Sequence, residues 1–183
     1  MSERRVTDAL IDFALNTRTE DIPAEVMETQ KKSLMDSIGV MAAASSLEPA
    51  CRPFLEYARE NGASEECTVY GAGFKTSCLM AAMANGPLVH ALDYEDGHDA
   101  SKVHPNTAAI PVMLALGESL NSSGRDVLAA MAISCEIAIR LKLCLTGNDL
   151  LDFGWYSPPM FSAYGAVFGA ARLMGLTKEQ TLD

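Results

Sequence analysis

The 183-residue sequence has no run of lysine or arginine, no C-x-x-C pair and no opening apolar stretch. Each absence removes a class of protein. Its 14 Lys+Arg stand against 24 Asp+Glu, a formal net charge of −10, which gives no electrostatic footing on nucleic acid or on an anionic membrane. Met1-Ser-Glu-Arg-Arg-Val-Thr-Asp8 lacks the apolar segment of a secretory signal, so a cytoplasmic protein is expected. The five cysteines (Cys51, Cys67, Cys78, Cys135, Cys144) are odd in number, scattered and set mostly among apolar neighbours. They read as reduced core thiols.

What is present is apolar and helical. At 49% hydrophobic residues the chain suits one globular domain with a substantial core, or part of a larger protein. Val6, Leu10, Ile11, Phe13 and Ala14 put a stripe on a first short helix. Ile22-Pro23 opens a second helix to about Ala44, with proline at the first turn, where it is best tolerated. Pro53 starts a short third helix through Tyr57 and Arg59. The one convincing strand is Cys67-Thr-Val-Tyr70, closed by Gly71-Ala-Gly73, and its pairing partner is expected elsewhere in the chain. Ser77 to about Leu92 reads as an apolar helix with a kink or break at Gly86-Pro87, and Asn106 to Leu120 as another. Ser123-Gly-Arg-Asp126 resembles a capping box ahead of a long apolar helix to about Leu145.

The uncharged run from Gly154 to Ala171 approaches the length of a membrane span, but Pro158-Pro159 cuts it to a buried helix of about a dozen residues. Gly165 and Gly169 on that helix would let a second helix approach closely. Thr177 and Gln180 have capping-box spacing, yet the sequence ends at Asp183. So short a helix cannot repay nucleation alone, and the expectation is a chain interrupted at a helix start over 177–183.

Gly71-Ala-Gly-Phe-Lys-Thr-Ser77 has the residue types of a phosphate loop but not the Walker spacing, so a turn is the better reading. The chemistry-bearing stretch is His90 to Asn106. It holds all three histidines (His90, His98, His104) and four carboxylates (Asp93, Glu95, Asp96, Asp99) between two apolar helices. Histidine titrates nearest neutrality, and a neighbouring carboxylate can orient it or tune it. A solvated acidic helix end, with His90 in the core and His104 bonding a helix terminus, is the structural alternative. A metal site is a third option: the EF-hand pattern fails because His98 occupies its glycine position and no H-E-x-x-H is present, but oxygen-rich loops recruit hard cations, so the option stays open. Glu136 and Arg140, four apart, read as an intrahelical ion pair. Asp149, Asp152 and Tyr156 precede Pro158, and the Tyr156 phenol could either pack or face a ligand.

The order of these segments closely resembles the MmgE/PrpD family. The similarity is carried by Ser33-Leu-Met-Asp-Ser-Ile-Gly-Val40, Thr68-Val-Tyr-Gly71, Ala81-Ala-Met-Ala-Asn-Gly86 through His90-Ala-Leu-Asp93, and His104-Pro105. Gly124-Arg-Asp-Val-Leu128 with Glu136 and Arg140, Gly154-Trp-Tyr156 and Arg172-Leu-Met-Gly-Leu176 extend it over nearly the whole chain. Its most specific part is Asn-Gly-x-x-x-His-Ala-Leu-Asp. The family includes 2-methylcitrate dehydratase, cis-aconitate decarboxylase and an iminodisuccinate epimerase, which move a proton on carbon beside a carboxylate.

The resemblance implies an all-α, bundle-like N-terminal domain without the family's α+β lid domain, forming a homodimer and needing neither cofactor nor metal. The substrate it implies is a small di- or tricarboxylic acid. Asp93 and His104 match catalytic positions, with His104 exchanging the proton and Asp93 orienting it or binding substrate. His90, Gly97, His98, Lys102 and Tyr156 are the expected substrate-binding residues, with Lys102 and Arg140 as the nearby cations. The family's active-site lysines match nothing in these residues, so a non-catalytic binding or assembly fragment is the alternative. Two departures separate the chain from the family pattern. Gly97 stands where threonine is frequent, and Gly154-Trp155-Tyr156 replaces Gly-Phe-His.

Overall fold

The computed structural model describes residues 5–145 and 154–183. Among these residues are eight α-helices and one two-stranded sheet, the mainly helical architecture expected. The helices are α1 (Val6–Asn16), α2 (Ala24–Leu47), α3 (Arg52–Asn61), α4 (Cys78–His90), α5 (Asn106–Ser119), α6 (Gly124–Leu143), α7 (Ser157–Leu173) and α8 (Lys178–Leu182). None is long and apolar enough to cross a membrane.

Three mutually packed helices, α5, α6 and α7, organise the rest. α7 lies along α6 and α5, and α4 packs on α5 and α2. Met41, Leu88, Ile110, Met113 and Met131 meet in the main core, each fully buried. The glycines of α7 set its distance from α6. A Cβ on Gly165 would lie 2.2 Å from the Ser134 carbonyl oxygen, and one on Gly169 would lie 2.1 Å from Ser134 Oγ and 2.7 Å from the Ala130 carbonyl oxygen. Only a residue without a side chain lets these backbones come so close.

The strand partner expected elsewhere in the chain is the segment that follows the turn. β1 (Cys67–Val69) pairs antiparallel with β2 (Phe74–Thr76) in a hairpin, Cys67 opposite Thr76. Gly71 and Gly73 make the turn with φ of 74° and 71°, a conformation that costs glycine least. Lys75, the phosphate-loop-like lysine, lies 3.5 Å from Glu118. Glu118 also accepts from the Thr68 amide and hydroxyl and from the Tyr70 hydroxyl, tying the hairpin to α5. Burial beside this carboxylate pushes the Tyr70 phenol up to about 12.

α4 runs unbroken through Gly86-Pro87 to His90, so there is no break there. Pro87 lies in the final turn, where its missing N–H deprives a single carbonyl of its partner. Ser123 Oγ accepts from the Asp126 amide but donates to the Asp126 carboxylate, which makes half a capping box. At Thr177 and Gln180 both halves form, at 3.2 and 2.9 Å. This start does have a helix: α8 is held by that box and by Lys178, whose Nζ reaches Asp12 at 2.9 Å and Asp8 at 3.8 Å on α1. Tertiary contact replaces the length that nucleation would otherwise require.

All five cysteines are free. Cys51, Cys67 and Cys135 are buried, and burial raises the Cys67 thiol to about 12. Cys144, the C-cap of α6, is exposed and departs from the core-thiol expectation.

Candidate active site

The segment between α4 and α5 folds over the start of α5 and brings two of the histidines together. After His90 closes α4, Asp93 takes φ 55° while its amide bonds the His90 carbonyl. This left-handed turn is one that a short polar residue tolerates. His98 and Val103 then form an antiparallel bridge around a tight turn that leaves Lys102 exposed at φ 51°. The bridge returns the chain to His104-Pro105 and the first turn of α5. The adjacent carboxylates Glu95 and Asp96 point into that first turn, where the helix dipole favours negative charge. Thr107 Oγ donates to Glu95 Oε1 at 3.1 Å, and Asn106 Nδ2 donates to Asp96 Oδ2 at 2.7 Å.

The surroundings of His104 define its tautomer. Its Nδ1 lies 3.1 Å from the Asp96 carbonyl oxygen, which can only accept, so Nδ1 carries the proton. In the neutral ring Nε2 therefore holds the free lone pair. That nitrogen is 3.8 Å from Asp93 Oδ1, and the Asp93 side chain is 73% exposed. A basic nitrogen with a fixed orientation thus sits beside an accessible carboxylate.

Glu95 lies beneath both rings. Its side chain is fully buried, Oε1 is hydrogen-bonded to His90 Nδ1, and the same oxygen is 3.6 Å from His104 Nδ1. The two imidazole centroids are 5.7 Å apart. Tyr156, just before α7, brings its hydroxyl to 3.5 Å from His90 Nε2. Asp96 is partly buried, accepts from Ser33 Oγ of α2 at 3.2 Å, and leaves Oδ1 buried without a hydrogen-bond partner. Burial holds its carboxyl above the usual aspartate range, and the bonds from Asn106 and Ser33 only partly counter this.

Of the sequence-expected site residues, the structure clusters His90, Asp93, His104 and Tyr156. Gly97 borders the cluster, since a Cβ there would touch His104 Cε1 at 3.9 Å. His98 turns elsewhere: its Nδ1 accepts from the Ser101 amide at 3.2 Å and meets Ser101 Oγ at 2.9 Å, so it knits its own turn. Arg140 is engaged with Glu136 at 2.5 Å, the intrahelical pair expected from the spacing. Asp149 and Asp152 lie outside the described residues. Glu95, Asn106 and Thr107 were not singled out from sequence as site residues. The available signal was position, a carboxylate two residues past Asp93 and polar side chains in the first turn of an apolar helix. His90, Asp93 and Glu95 bring ligand-type atoms within 4.8 Å of one another. There Glu95 Oε1 is hydrogen-bonded to His90 Nδ1, while Glu95 Oε2 is buried without a hydrogen-bond partner.

These features coincide with a recognised family. The chain matches the MmgE/PrpD N-terminal domain over residues 8–183 and belongs to that family. It is 29% identical to a cis-aconitate decarboxylase-like protein of Aspergillus oryzae, covering 98% of this chain and 38% of that protein. It is 27% identical to the cis-aconitate decarboxylase of Aspergillus terreus and 25% identical to that of Mus musculus, in each case over 97% of this chain and 37% of the relative. The chain therefore spans less than two-fifths of the length of these relatives.

Proposed function

We propose that this chain is the N-terminal helical part of a cofactor-independent lyase or isomerase that moves a proton on carbon next to a carboxylate. The substrate class is a small di- or tricarboxylic acid. The observation that carries this reading is the His104 geometry: Nδ1 bound to a backbone carbonyl, and Nε2 presented beside exposed Asp93. A carbon acid needs a positioned base and a group that organises the developing charge. In this reading His104 Nε2 takes up or returns the proton, and Asp93 orients the imidazole and stabilises its protonated form. Gly97 and Tyr156 border the space a substrate would use, and Lys102, exposed on the same loop, is proposed as the cation that meets a substrate carboxylate. The cis-aconitate decarboxylases among its relatives support the reaction class, and Gly97 and Tyr156 favour a substrate other than theirs. A homodimer and a cytoplasmic location belong to the same proposal.

The test is proton/deuterium exchange at the α-carbon of citrate-like and aspartate-like acids, measured on the full gene product. Exchange that disappears in Asp93→Asn and His104→Gln supports the enzyme. No exchange across a broad panel overturns it in favour of a binding or assembly role.

A further inference from the structure

The buried carboxylate of Glu95 does more than the proposed role of His104 requires. It holds His90 Nδ1, so the His90 ring carries its proton on the side facing Glu95 and turns a free Nε2 lone pair outward. The group facing that lone pair is the Tyr156 hydroxyl, at 3.5 Å, with ring centroids 6.1 Å apart. Catalytic hydrogen bonds are often this long before substrate binds. Carboxylate, imidazole and hydroxyl thus stand in the order that activates a weak nucleophile or base in hydrolases of unrelated fold. Thr107 Oγ, bonded to the same Glu95 oxygen at 3.1 Å, fixes the carboxylate from below.

We propose that Glu95, His90 and Tyr156 form a proton relay, in which Tyr156 is a second catalytic residue and His90 and Glu95 position it and accept its proton. The inference rests on the carbon-acid reading above. Tyr156 stands where the resembling family carries a histidine, and an unassisted phenol is a poor base near neutrality. The relay supplies the assistance. In the proton transfer that His104 does not carry, the substrate C–H bond breaks, its proton goes to Tyr156 Oη and the phenolic proton goes to His90 Nε2. The C–H electron pair remains on the substrate as a carboxylate-conjugated carbanion, and the resulting imidazolium faces Glu95. Reprotonation runs the same transfers backwards. The titratable groups around His90 are Glu95, Asp93, His104 and Tyr156.

The experiment compares Tyr156→Phe, His90→Gln, Glu95→Gln and Tyr156→His with the unaltered full gene product. Tyr156→Phe and His90→Gln should each lower kcat about 10²–10⁴-fold with little change in KM, and the double variant should lose no more than either single one. Glu95→Gln keeps the shape and the acceptor but removes the charge that stabilises the imidazolium. It should lower kcat and move the acid limb of the kcat profile to lower pH, and this shift should vanish in the Tyr156→Phe background, whereas a shift acting through His104, 3.6 Å from the same oxygen, would persist there. Tyr156→His should restore turnover and make it insensitive to His90→Gln. Full turnover in Tyr156→Phe, with exchange still lost in His104→Gln, overturns the relay and leaves the broader reading standing. The ¹⁵N spectrum of His90 is read without substrate: a proton on Nδ1 and an Nε2 shift that responds to Tyr156→Phe support the relay, and a proton on Nε2 overturns it.

Discussion

His104 Nε2 and Asp93 Oδ1 lie 3.8 Å apart, the nitrogen on a ring fixed by its own loop and the oxygen on a residue in a left-handed turn. The backbone of Asp93 therefore places its carboxylate as much as the side chain does. Asp93→Asn should keep the fold, because asparagine tolerates this conformation, and should change stability by about 0.5 kcal/mol or less, as at other exposed sites. Asp93→Val should lose stability through strain at the same φ. Thermal unfolding of the two variants checks this, and equal midpoints would mean that the turn is not constrained.

The carboxyl of Asp96 gives a pH dependence of a definite sign. Burial raises its folded-state value, so between the unfolded value, near 3.9, and the raised one the native chain binds more protons than the unfolded chain. Its contribution to stability is present at acid pH and is lost as pH rises through that window. Asp96→Asn keeps an acceptor for Ser33 and Asn106 and removes the titration. Denaturant midpoints from pH 3 to 7 should show a shallower fall for the variant at its acid end. Parallel curves would mean that Asp96 does not contribute.

Close packing of α6 and α7 makes a third prediction. Gly169→Ala would place a methyl group 2.1 Å from Ser134 Oγ and 2.7 Å from the Ala130 carbonyl oxygen, so the helices must separate. Overpacking of this kind costs about 1–3 kcal/mol. By contrast, a Cβ at Gly73 meets nothing within 4 Å, and its cost arises only from the positive φ. Gly169→Ala should lower the unfolding midpoint with the denaturant slope unchanged. An unaltered midpoint would contradict the close approach.

These cases show what was legible in the sequence. Gly165 and Gly169 were readable because a four-residue spacing of glycine on an apolar helix has one main structural use. The hairpin partner was not, because Phe74-Lys-Thr76 is three residues long and its pairing depends on the two glycines before it. The His90 to His104 stretch stood out through its unusual density of titratable groups. Sequence could not say that Glu95 points inward and His98 points to its own turn, because that choice is made by the bridge to Val103 and by the first turn of α5. Nor could it separate the structural and chemical halves of the Asn-Gly-x-x-x-His-Ala-Leu-Asp motif. His90 and Asp93 reach the site, whereas Asn85 does not take part in it.

Asn85 supplies the last prediction. Fully buried on α4, it accepts from the Tyr70 amide at 3.0 Å and donates to the Thr68 carbonyl at 2.9 Å, completing the edge of β1 that β2 does not pair, as a neighbouring strand would. Asn85→Leu would leave both backbone groups buried without partners, at about 1–3 kcal/mol each. Asn85→Asp, protonated at acid pH, keeps an acceptor for the Tyr70 amide and offers a single O–H to the Thr68 carbonyl in place of the amide N–H, so it should fall between the two. The order of unfolding midpoints should be the unaltered chain first, then Asn85→Asp at acid pH, then Asn85→Leu. Hydrogen exchange at the Tyr70 amide should accelerate in Asn85→Leu while the amides of α6 stay protected, because the lost bond belongs to the hairpin. A uniform loss of protection would place Asn85 in the global core and would break the separation between the structural and chemical halves of the motif.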